Sequence, residues 1–333
     1  MKTALRPMSL GEILDAAIRL YRRNFWLFVS VIALVEIPFL LVQVVLPLVY
    51  PPTGPDDIFS ARWFLVNGAN LLVRWIFVDG FGAALLTYAI AQRYLDQETS
   101  LVDVYRRLGA AWLGVATILV FFPPVLLALF VWLNIPCIGW LTAGGVFIFV
   151  AMGIMPFAPT AIMVEGQSGL GAVLRAWDLG RRRFFWIIAF NIVLTLFGWA
   201  LAAGPSLVVN SLLVALIANG FGMTEQQLTN IYSLISNVSG TLFNMLFLPI
   251  QVGAWTLTYY DLRVRSEAFD LALLVTEDTQ AANRLVHLPP LEKWLSGNDM
   301  AALMLVSLVV FVLFIVTNAL PFFLLLAAVA AEL

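Results

Sequence analysis

The segment LTYYDLRVRSEAFDLALLV, Leu257–Val275, changes from membrane-like sequence to alternating charges within a few residues. It begins with apolar and aromatic residues and continues through Asp261, Arg263, Arg265 and Glu267. Tyrosines are typical of the level at which a membrane helix meets lipid headgroups, and oppositely charged residues four apart can pair along a helix. The segment therefore predicts a helix that leaves the hydrocarbon core and continues into a charged layer.

The composition indicates that most of the chain lies in lipid. Hydrophobic residues make up 62% of the 333 residues and charged residues only 11%, against about 25% charged residues in a typical soluble domain. The net charge of −2 provides no overall attraction to nucleic acid, so no nucleic-acid partner is predicted.

The chain offers few residues for chemistry. His287 is the single histidine and Cys137 the single cysteine, which excludes a multi-histidine metal site and an internal disulfide. No Asp–Asp pair, His–carboxylate set or Ser–Lys dyad occurs at a matching predicted depth. The sequence therefore predicts no catalytic residue, no metal and no cofactor, and the protein is predicted not to be an enzyme.

Several stretches are long and apolar enough to cross the roughly 30 Å hydrocarbon core as helices. The seven predicted spans are Phe25–Val49, Phe64–Tyr94, Trp112–Leu133, Ile138–Val164, Phe184–Ala218, Leu234–Tyr260 and Met300–Ala331. The predicted fold is an all-α polytopic transmembrane helix bundle. Prolines within several of these stretches predict kinks.

The Lys and Arg residues fall on one side of the predicted spans. All of them except Arg62 and Arg74 lie in the N-terminal segment or in the segments after the second, fourth and sixth spans. Because loops rich in Lys and Arg stay in the cytoplasm, the N-terminus is predicted to be cytoplasmic and the C-terminus external. The predicted location is a bacterial inner membrane.

Three parts of the chain resemble one another. Leu10, Gly11, Leu14, Arg22, Arg23, Phe25 and Trp26 align with Leu170, Gly171, Leu174, Arg182, Arg183, Phe185 and Trp186, and a shorter version, SLVDVYRRLGAAWLG, begins at Ser100. Each unit is interpreted as a short interfacial helix, an arginine pair or triplet, and two spans. The predicted six-span domain 1–275 contains units 5–95, 100–165 and 168–275, followed by a cytoplasmic linker, 276–299, and an appended span within 300–333.

The short interfacial helices, called elbows here, have local support in the sequence. Ser9 with Glu12 and Ser100 with Asp103 have the spacing of capping boxes. Apolar residues at helical spacing predict that the first elbow lies in the membrane interface with its arginines at phosphate level. The residues of this apolar stripe are Leu10, Ile13, Leu14 and Ala17.

Three motifs, LGEILDAAIRLYRRNF, VEGQSGLGAVLRAWDLGRRRFFW and LTYYDLRVRSEAFDLALL, carry a resemblance over residues 5–275. Together they resemble the glycerophosphoryl diester phosphodiesterase membrane-domain family of bacteria. The third motif is the most specific, and its family positions include Tyr259, Tyr260, Asp261, Arg263, Glu267 and Asp270. The resemblance implies six membrane helices with interfacial elbows. It implies no phosphodiesterase activity here, because the separate catalytic barrel of the fused family members is missing.

The elbow arginines are the predicted residues that face lipid or a partner. They are Arg22, Arg23, Arg106, Arg107, Arg181, Arg182, Arg183, Arg263 and Arg265. The predicted function is a non-enzymatic membrane scaffold or accessory protein. It would engage anionic lipid headgroups, or a membrane or cytoplasmic protein partner, at its cytoplasmic face. The structural alternative is that the charged segment after Tyr260 only packs against the other elbows.

Glu36, Arg74 and Asp79 are ionisable residues inside predicted spans. A charge at the bilayer centre costs about 2.5–3.5 kcal/mol or more, so each should find a partner. Arg74 and Asp79 are five residues apart, which suits an α-helix poorly, so Glu36 with Arg74 is the predicted pair. The pair either fixes helix register or belongs to a transporter or channel for a small or lipidic solute, which is the alternative function. Glu165 is predicted to face Arg181–Arg183.

Overall fold

The computed structural model describes residues 5–49, 68–135, 138–221, 224–276, 279–286 and 296–314. Within these ranges the chain is helical, with short connections and no strand, so the predicted all-α bundle is confirmed. The helices are α1 (Leu10–Arg23), α2 (Phe25–Val49), α3 (Gly68–Tyr94), α4 (Leu101–Leu133), α5 (Ile138–Glu165), α6 (Gly169–Arg181), α7 (Phe184–Gly198, continuing through Gly204–Phe221), α8 (Glu225–Glu267), α9 (Phe269–Thr276), α10 (Thr279–Leu285) and α11 (Gly297–Phe314).

Six of these helices contain stretches long and apolar enough to cross a membrane. They are Phe25–Val45, Gly68–Tyr94, Leu101–Leu133, Ile138–Glu165, Phe184–Ile217 and Leu234–Glu267. The protein is therefore a multi-pass membrane protein. In the predicted seventh span, the apolar stretch Gly297–Val312 is shorter, and the rest of that span lies outside the described residues. Arg62, Cys137 and His287 also lie outside them.

Both predicted capping boxes are present. Ser9 N–H donates to Glu12 Oε2 over 2.7 Å, and the Ser9 hydroxyl accepts from Glu12 N–H. Ser100 and Asp103 repeat this exchange at the start of α4. The Ser9 backbone N–H and the Arg6 side chain lower the pKa of Glu12 to about 2, so this cap keeps its charge at neutral pH.

Only two of the three predicted elbows are separate helices. α1 ends at Arg23 before Asn24, and α6 ends at Arg181, with two residues between it and the start of α7. The middle elbow is instead continuous with the third span in α4. The sequence between Arg107 and Trp112 contains no proline or helix-ending residue that would separate the two, and Gly109 is accommodated within the helix.

The apolar face of α1 packs on protein. Ile13, Ala17 and Tyr21 are buried, and α1 lies along α8, where Ala17 is close to Gly253. The stripe predicted to rest in the membrane interface is therefore largely covered by a helix of the same chain. Burial of this stripe makes α1 part of the hydrophobic core.

The prolines have different effects on the helices that contain them. α5 is interrupted at Met155–Phe157, around Pro156, after a π-helical stretch, Val150–Ile154. Met155 N–H donates to the carbonyl of Val150, five residues earlier, over 3.0 Å. Pro156 has no N–H with which to continue the helical hydrogen-bond pattern. α4 and α8, by contrast, continue through their prolines without a break in the helix.

The C-terminal helix α11 packs closely against α5. Gly145 N–H donates to Ser307 Oγ over 2.6 Å, and the same hydroxyl donates to the Leu303 carbonyl over 2.9 Å. Trp140 and Phe311 stack with ring centroids 4.7 Å apart. Small residues allow membrane helices to approach this closely, and Gly144 and Gly145 both lie at this contact.

Gly145→Ala should separate these helices, because a Cβ at position 145 would lie 2.0 Å from the Leu303 carbonyl oxygen. We expect a loss of about 1–3 kcal/mol of stability, the usual cost of overpacking, measured as a lower melting temperature in mild detergent. Gly109→Ala is the matched control, since nothing lies within 4 Å of a Cβ there and alanine favours a helix. Equal melting temperatures for the two variants would contradict this account of the α5–α11 contact.

Candidate functional site at the basic end of the bundle

Most of the described arginines lie at one end of the bundle. This basic end is formed by α1, the 95–100 and 166–168 connections, α6, and the junction of α8 with α9. Long-range contacts hold these parts together: Met8 N–H donates to Asp261 Oδ1 over 2.7 Å, and Arg107 donates to the Met163 carbonyl over 3.1 and 3.2 Å. The basic end is therefore one assembled surface drawn from distant parts of the sequence.

Arg263 is the centre of this assembly and is only 1% exposed. Its Nε lies 3.2 Å from Glu165 Oε1 and 3.1 Å from Glu267 Oε2, and Nη1 donates to Asn283 Oδ1 over 2.9 Å. The guanidinium also stacks 3.8 Å above the centroid of the Phe269 ring. A charge this deeply buried needs such partners, because removing an ion from water costs several kcal/mol.

Glu165 joins Arg263 to a second arginine. Arg175 donates to both Glu165 oxygens, over 2.9 Å and 3.1 Å, in the two-pronged geometry favoured by guanidinium and carboxylate groups. The Tyr259 hydroxyl donates to Glu165 Oε1 over 2.5 Å. The prediction that Glu165 faces Arg181–Arg183 is wrong. The turn after Glu165 places Arg175 of α6 against its carboxylate instead.

Glu267 completes the network by forming an ion pair with Arg175. Two guanidinium groups and two carboxylates alternate, so their formal charges cancel. The four side chains are at most 13% exposed. We call Glu165, Arg175, Arg263 and Glu267 the buried network. It joins α5, α6 and α8, and through Asn283 it reaches α10.

Asp261 holds the N-terminal segment against the end of α8. It accepts from Met8 N–H through Oδ1 and from Arg265 Nε, 2.8 Å away, through Oδ2. Arg265 in turn donates to the Met8 carbonyl over 2.8 Å. Both polar groups of the Met8 backbone are therefore bound by one Asp–Arg pair, which confirms the predicted pairing of Asp261 with Arg265.

α8 ends at Glu267 because Ala268 takes a left-handed conformation, with φ 53°. This conformation costs about 1–2 kcal/mol for a residue with a Cβ, and it turns Phe269 into the core, where Phe269 is 0% exposed. The apolar residues on either side of this turn therefore lie in different surroundings. Val264 is buried on α8, whereas Leu271 and Val275 are exposed on α9.

The elbow arginines fall into three groups. Arg22, Arg23, Arg106 and Arg265 are exposed, Arg107, Arg182 and Arg183 are half-buried, and Arg181 and Arg263 are buried. The prediction that Arg181 and Arg263 face lipid or a partner is wrong, because carboxylates hold both inside the protein. Arg181 lies 3.4 Å from Asp178 and 3.8 Å from Asp299.

The family motif residues contribute mainly to the interior. Tyr259, Tyr260, Asp261 and Arg263 are each at most 1% exposed, and the Glu267 side chain is 0% exposed. Asp270 is half-exposed in the first turn of α9, where a negative charge complements the helix dipole. These residues connect helices to one another.

The intramembrane residues pair differently from the prediction. Glu36 is 0% exposed and accepts from Asn244 Nδ2 over 2.7 Å, while Arg74 Nε lies 3.8 Å from Asp79 Oδ2. The predicted Glu36–Arg74 pair is therefore wrong. Arg74–Gly82 is a π-helix, in which residues five apart are hydrogen-bonded neighbours, so Arg74 and Asp79 share a face.

Sequence reasoning missed the roles of Arg175 and Asn283. Arg175 lies in the middle of α6, and Asn283 lies in the segment interpreted as a linker, where its Nδ2 also donates to the Val164 carbonyl over 3.3 Å. The one signal in the sequence was that Arg175 belongs to the same quoted motif as Glu165. Spacing alone could not have shown that the turn at Gly166 brings them together.

The described ranges contain no group of three or more His, Cys, Asp or Glu side chains that could hold a metal ion. No family model matches the chain, and neither a curated protein nor a solved structure matches it. The resemblance to the glycerophosphoryl diester phosphodiesterase membrane-domain family therefore stays a prediction.

Glu165→Gln should destabilise the bundle by about 3–5 kcal/mol, because it leaves Arg175 and Arg263 in the interior with one carboxylate fewer. Thermal unfolding in mild detergent measures this loss. Asp15→Asn is the control, since Asp15 and its partner Arg19 are 72% and 63% exposed, and exposed pairs contribute at most about 1 kcal/mol. A Glu165→Gln variant as stable as Asp15→Asn would mean that the buried network contributes little.

Asp261→Ala should release the N-terminal segment from α8. The Met8 amide would lose its carboxylate acceptor, so its hydrogen exchange in detergent should become faster, as measured by mass spectrometry of the N-terminal peptide. Asp15→Ala removes an exposed carboxylate from α1 and should leave Met8 exchange unchanged. Unchanged protection at Met8 in the Asp261→Ala protein would show that other contacts hold this segment.

Proposed function

We propose that the protein is a non-enzymatic integral membrane scaffold or accessory protein. Its basic end would engage anionic lipid headgroups or an acidic surface of a protein partner. The observation that carries this proposal is the division of charge at that end: the acidic and basic motif residues neutralise one another inside the protein, while Arg22, Arg23, Arg106 and Arg265 remain exposed. Exposed guanidinium groups are suited to anionic surfaces.

The buried network supports this proposal by making the basic end rigid. Arg263 and Arg175 each contact both Glu165 and Glu267, so α5, α6 and α8 are held in one arrangement by charge as well as by packing. A rigid surface keeps the exposed arginines in place, which lowers the ordering cost of binding.

The proposed location is a bacterial inner membrane with the basic end in the cytoplasm. The support is the bias of Lys and Arg toward this end, since basic segments are retained on the cytoplasmic side during insertion. Arg22 and Arg23 at the end of α1 and Arg106 near the start of α4 would then lie close to the anionic leaflet.

The second candidate is a transporter or channel that uses the region of Glu36, Arg74 and Asp79. The observation that favours it is that Glu36 is 0% exposed and that its Oε2 has no hydrogen-bond partner within the described part of the chain. An intramembrane carboxylate with an unused oxygen can mark a proton or solute site. The pairing of Glu36 with Asn244 also suits a structural contact between α2 and α8.

Replacing three exposed elbow arginines separates these candidates. In nanodiscs of mixed phosphatidylglycerol and phosphatidylcholine, we expect Arg22→Gln/Arg23→Gln/Arg106→Gln to weaken the preference for anionic lipid by up to about fivefold per arginine, since each contributes about 1 kcal/mol. The preference is measured from the lipids retained around the purified protein.

Glu36→Gln/Arg74→Gln is the control, because it removes two charged groups from within the membrane. A scaffold that binds lipid predicts an unchanged lipid preference in this control. If the control variant lost the preference and the elbow variant kept it, the scaffold proposal would be rejected. Loss of a solute flux in proteoliposomes on Glu36→Gln would favour the transporter.

A further inference from the structure

The basic end contains an open groove of about 720 Å³ beside the end of α8. Three of its lining side chains are Arg182, Arg183 and Arg265, and its apolar lining includes Leu179 and Leu262. This volume falls in the range of small-ligand sites, about 300–1,000 Å³. Leu179 and Leu262 are buried beneath the groove, and its guanidinium groups suit a ligand with a negatively charged head.

The charge of the groove is strongly one-sided. No acidic side chain lines it among the described residues. Asp261 approaches from beneath, with Oδ2 2.8 Å from Arg265 Nε and 3.8 Å from Arg183 Nη1, but it is itself 1% exposed. This one buried carboxylate faces two guanidinium groups, those of Arg183 and Arg265, so this pair of arginines keeps a positive excess.

Arg183 is held in place but keeps its hydrogen-bonding capacity. Its guanidinium lies 5.1 Å from the Trp186 ring centroid, and its side chain is 33% exposed. It makes no hydrogen bond within the described part of the chain, since the 3.8 Å approach to Asp261 is too long for one. Arg183 is therefore a positioned donor without an acceptor.

The next helix adds to the positive potential at this place. α7 begins at Phe184, directly after Arg183, and no side chain caps its first N–H groups. The start of a helix favours anions through these free N–H groups and the helix dipole. The uncapped start of α7 therefore adds to the positive potential of the groove.

The position of the groove relative to the membrane spans indicates which anion it could bind. Arg183 directly precedes the membrane span Phe184–Ile217, and Arg265 lies in the last turn of the span that ends at Glu267. Phe185 is 52% exposed and Leu174 is 57% exposed close to these positions in the chain. In a membrane crossed by these two spans, the groove would lie at the level where phospholipid headgroups meet acyl chains.

We propose that this groove binds the phosphate group of an anionic membrane phospholipid. Arg182, Arg183 and Arg265 would donate to the phosphate oxygens. This inference rests on the proposed function and deepens it, because it names one site and one ligand class among the basic residues. Free phosphate shares the chemistry of the headgroup, so the test includes both sources.

The test is native mass spectrometry of the full chain in mild detergent, titrated with phosphatidylglycerol, phosphatidylcholine or inorganic phosphate. Wild-type protein should bind one phosphatidylglycerol at least tenfold more tightly than phosphatidylcholine, and millimolar inorganic phosphate should not displace it. Arg182→Gln/Arg183→Gln should weaken that first binding event by tenfold or more, at about fivefold per arginine. Arg265 is left unchanged because it also holds Met8.

Arg22→Gln/Arg23→Gln is the matched control, since it removes an equivalent arginine pair at the end of α1 and should leave the first phosphatidylglycerol bound as in wild type. If only this control variant loses lipid, the groove proposal fails and the broader scaffold proposal stands. If neither variant loses lipid, both proposals fail. Displacement of the lipid by inorganic phosphate would overturn the assignment to a phospholipid.

A folding check keeps the groove proposal testable. Melting temperatures of both double variants are measured first, and Arg182→Lys/Arg183→Lys keeps the charge if the Gln pair fails to fold. The Lys pair should bind phosphatidylglycerol more weakly than wild type, because an ammonium lacks the two-pronged donor geometry of a guanidinium. Wild-type affinity in the Lys pair, or equal wild-type affinity for phosphatidylglycerol and phosphatidylcholine, would overturn the proposal.

Discussion

The guanidinium of Arg263 places the strongest constraint on this structure. It lies near the end of a long apolar helix and is 1% exposed, so it is stable only where carboxylates and acceptors meet it inside the protein. Glu165, Glu267 and Asn283 come from three different helices to do this. The positions of α5, α8 and α10 relative to one another follow from that requirement.

The need of a buried guanidinium for a carboxylate partner divides the arginines into two groups, although both groups lie in similar stretches of sequence. Arg175, Arg181 and Arg263 are held by carboxylates in the interior, whereas Arg22, Arg23 and Arg106 remain on the surface. The surface residues and the groove beside Arg183 therefore form the part of the basic end available for binding. The buried residues give that surface a fixed shape.

The type of helix also decides which charged side chains pair within the membrane. An α-helix would place Arg74 and Asp79 on different faces, but the π-helix Arg74–Gly82 brings them to 3.8 Å. Glu36 instead accepts a hydrogen bond from Asn244, and this contact joins α2 to α8. A change of one residue in hydrogen-bond register thus decides which intramembrane charges pair.

Much of the fold could be predicted because its signals are local. The apolar runs set six of the spans, and the Ser9 and Ser100 capping boxes set helix starts. Each of these depends on neighbouring residues and on the cost of placing polar backbone or charge in lipid.

Only the tertiary structure decided which arginines are buried, and that Arg175 and Asn283 complete the network around Arg263. These outcomes depend on contacts between residues far apart in the chain. The physical reason is that the sequence around an arginine does not show whether water or a buried carboxylate will surround its charge. Only the folded arrangement determines which of the two surrounds it.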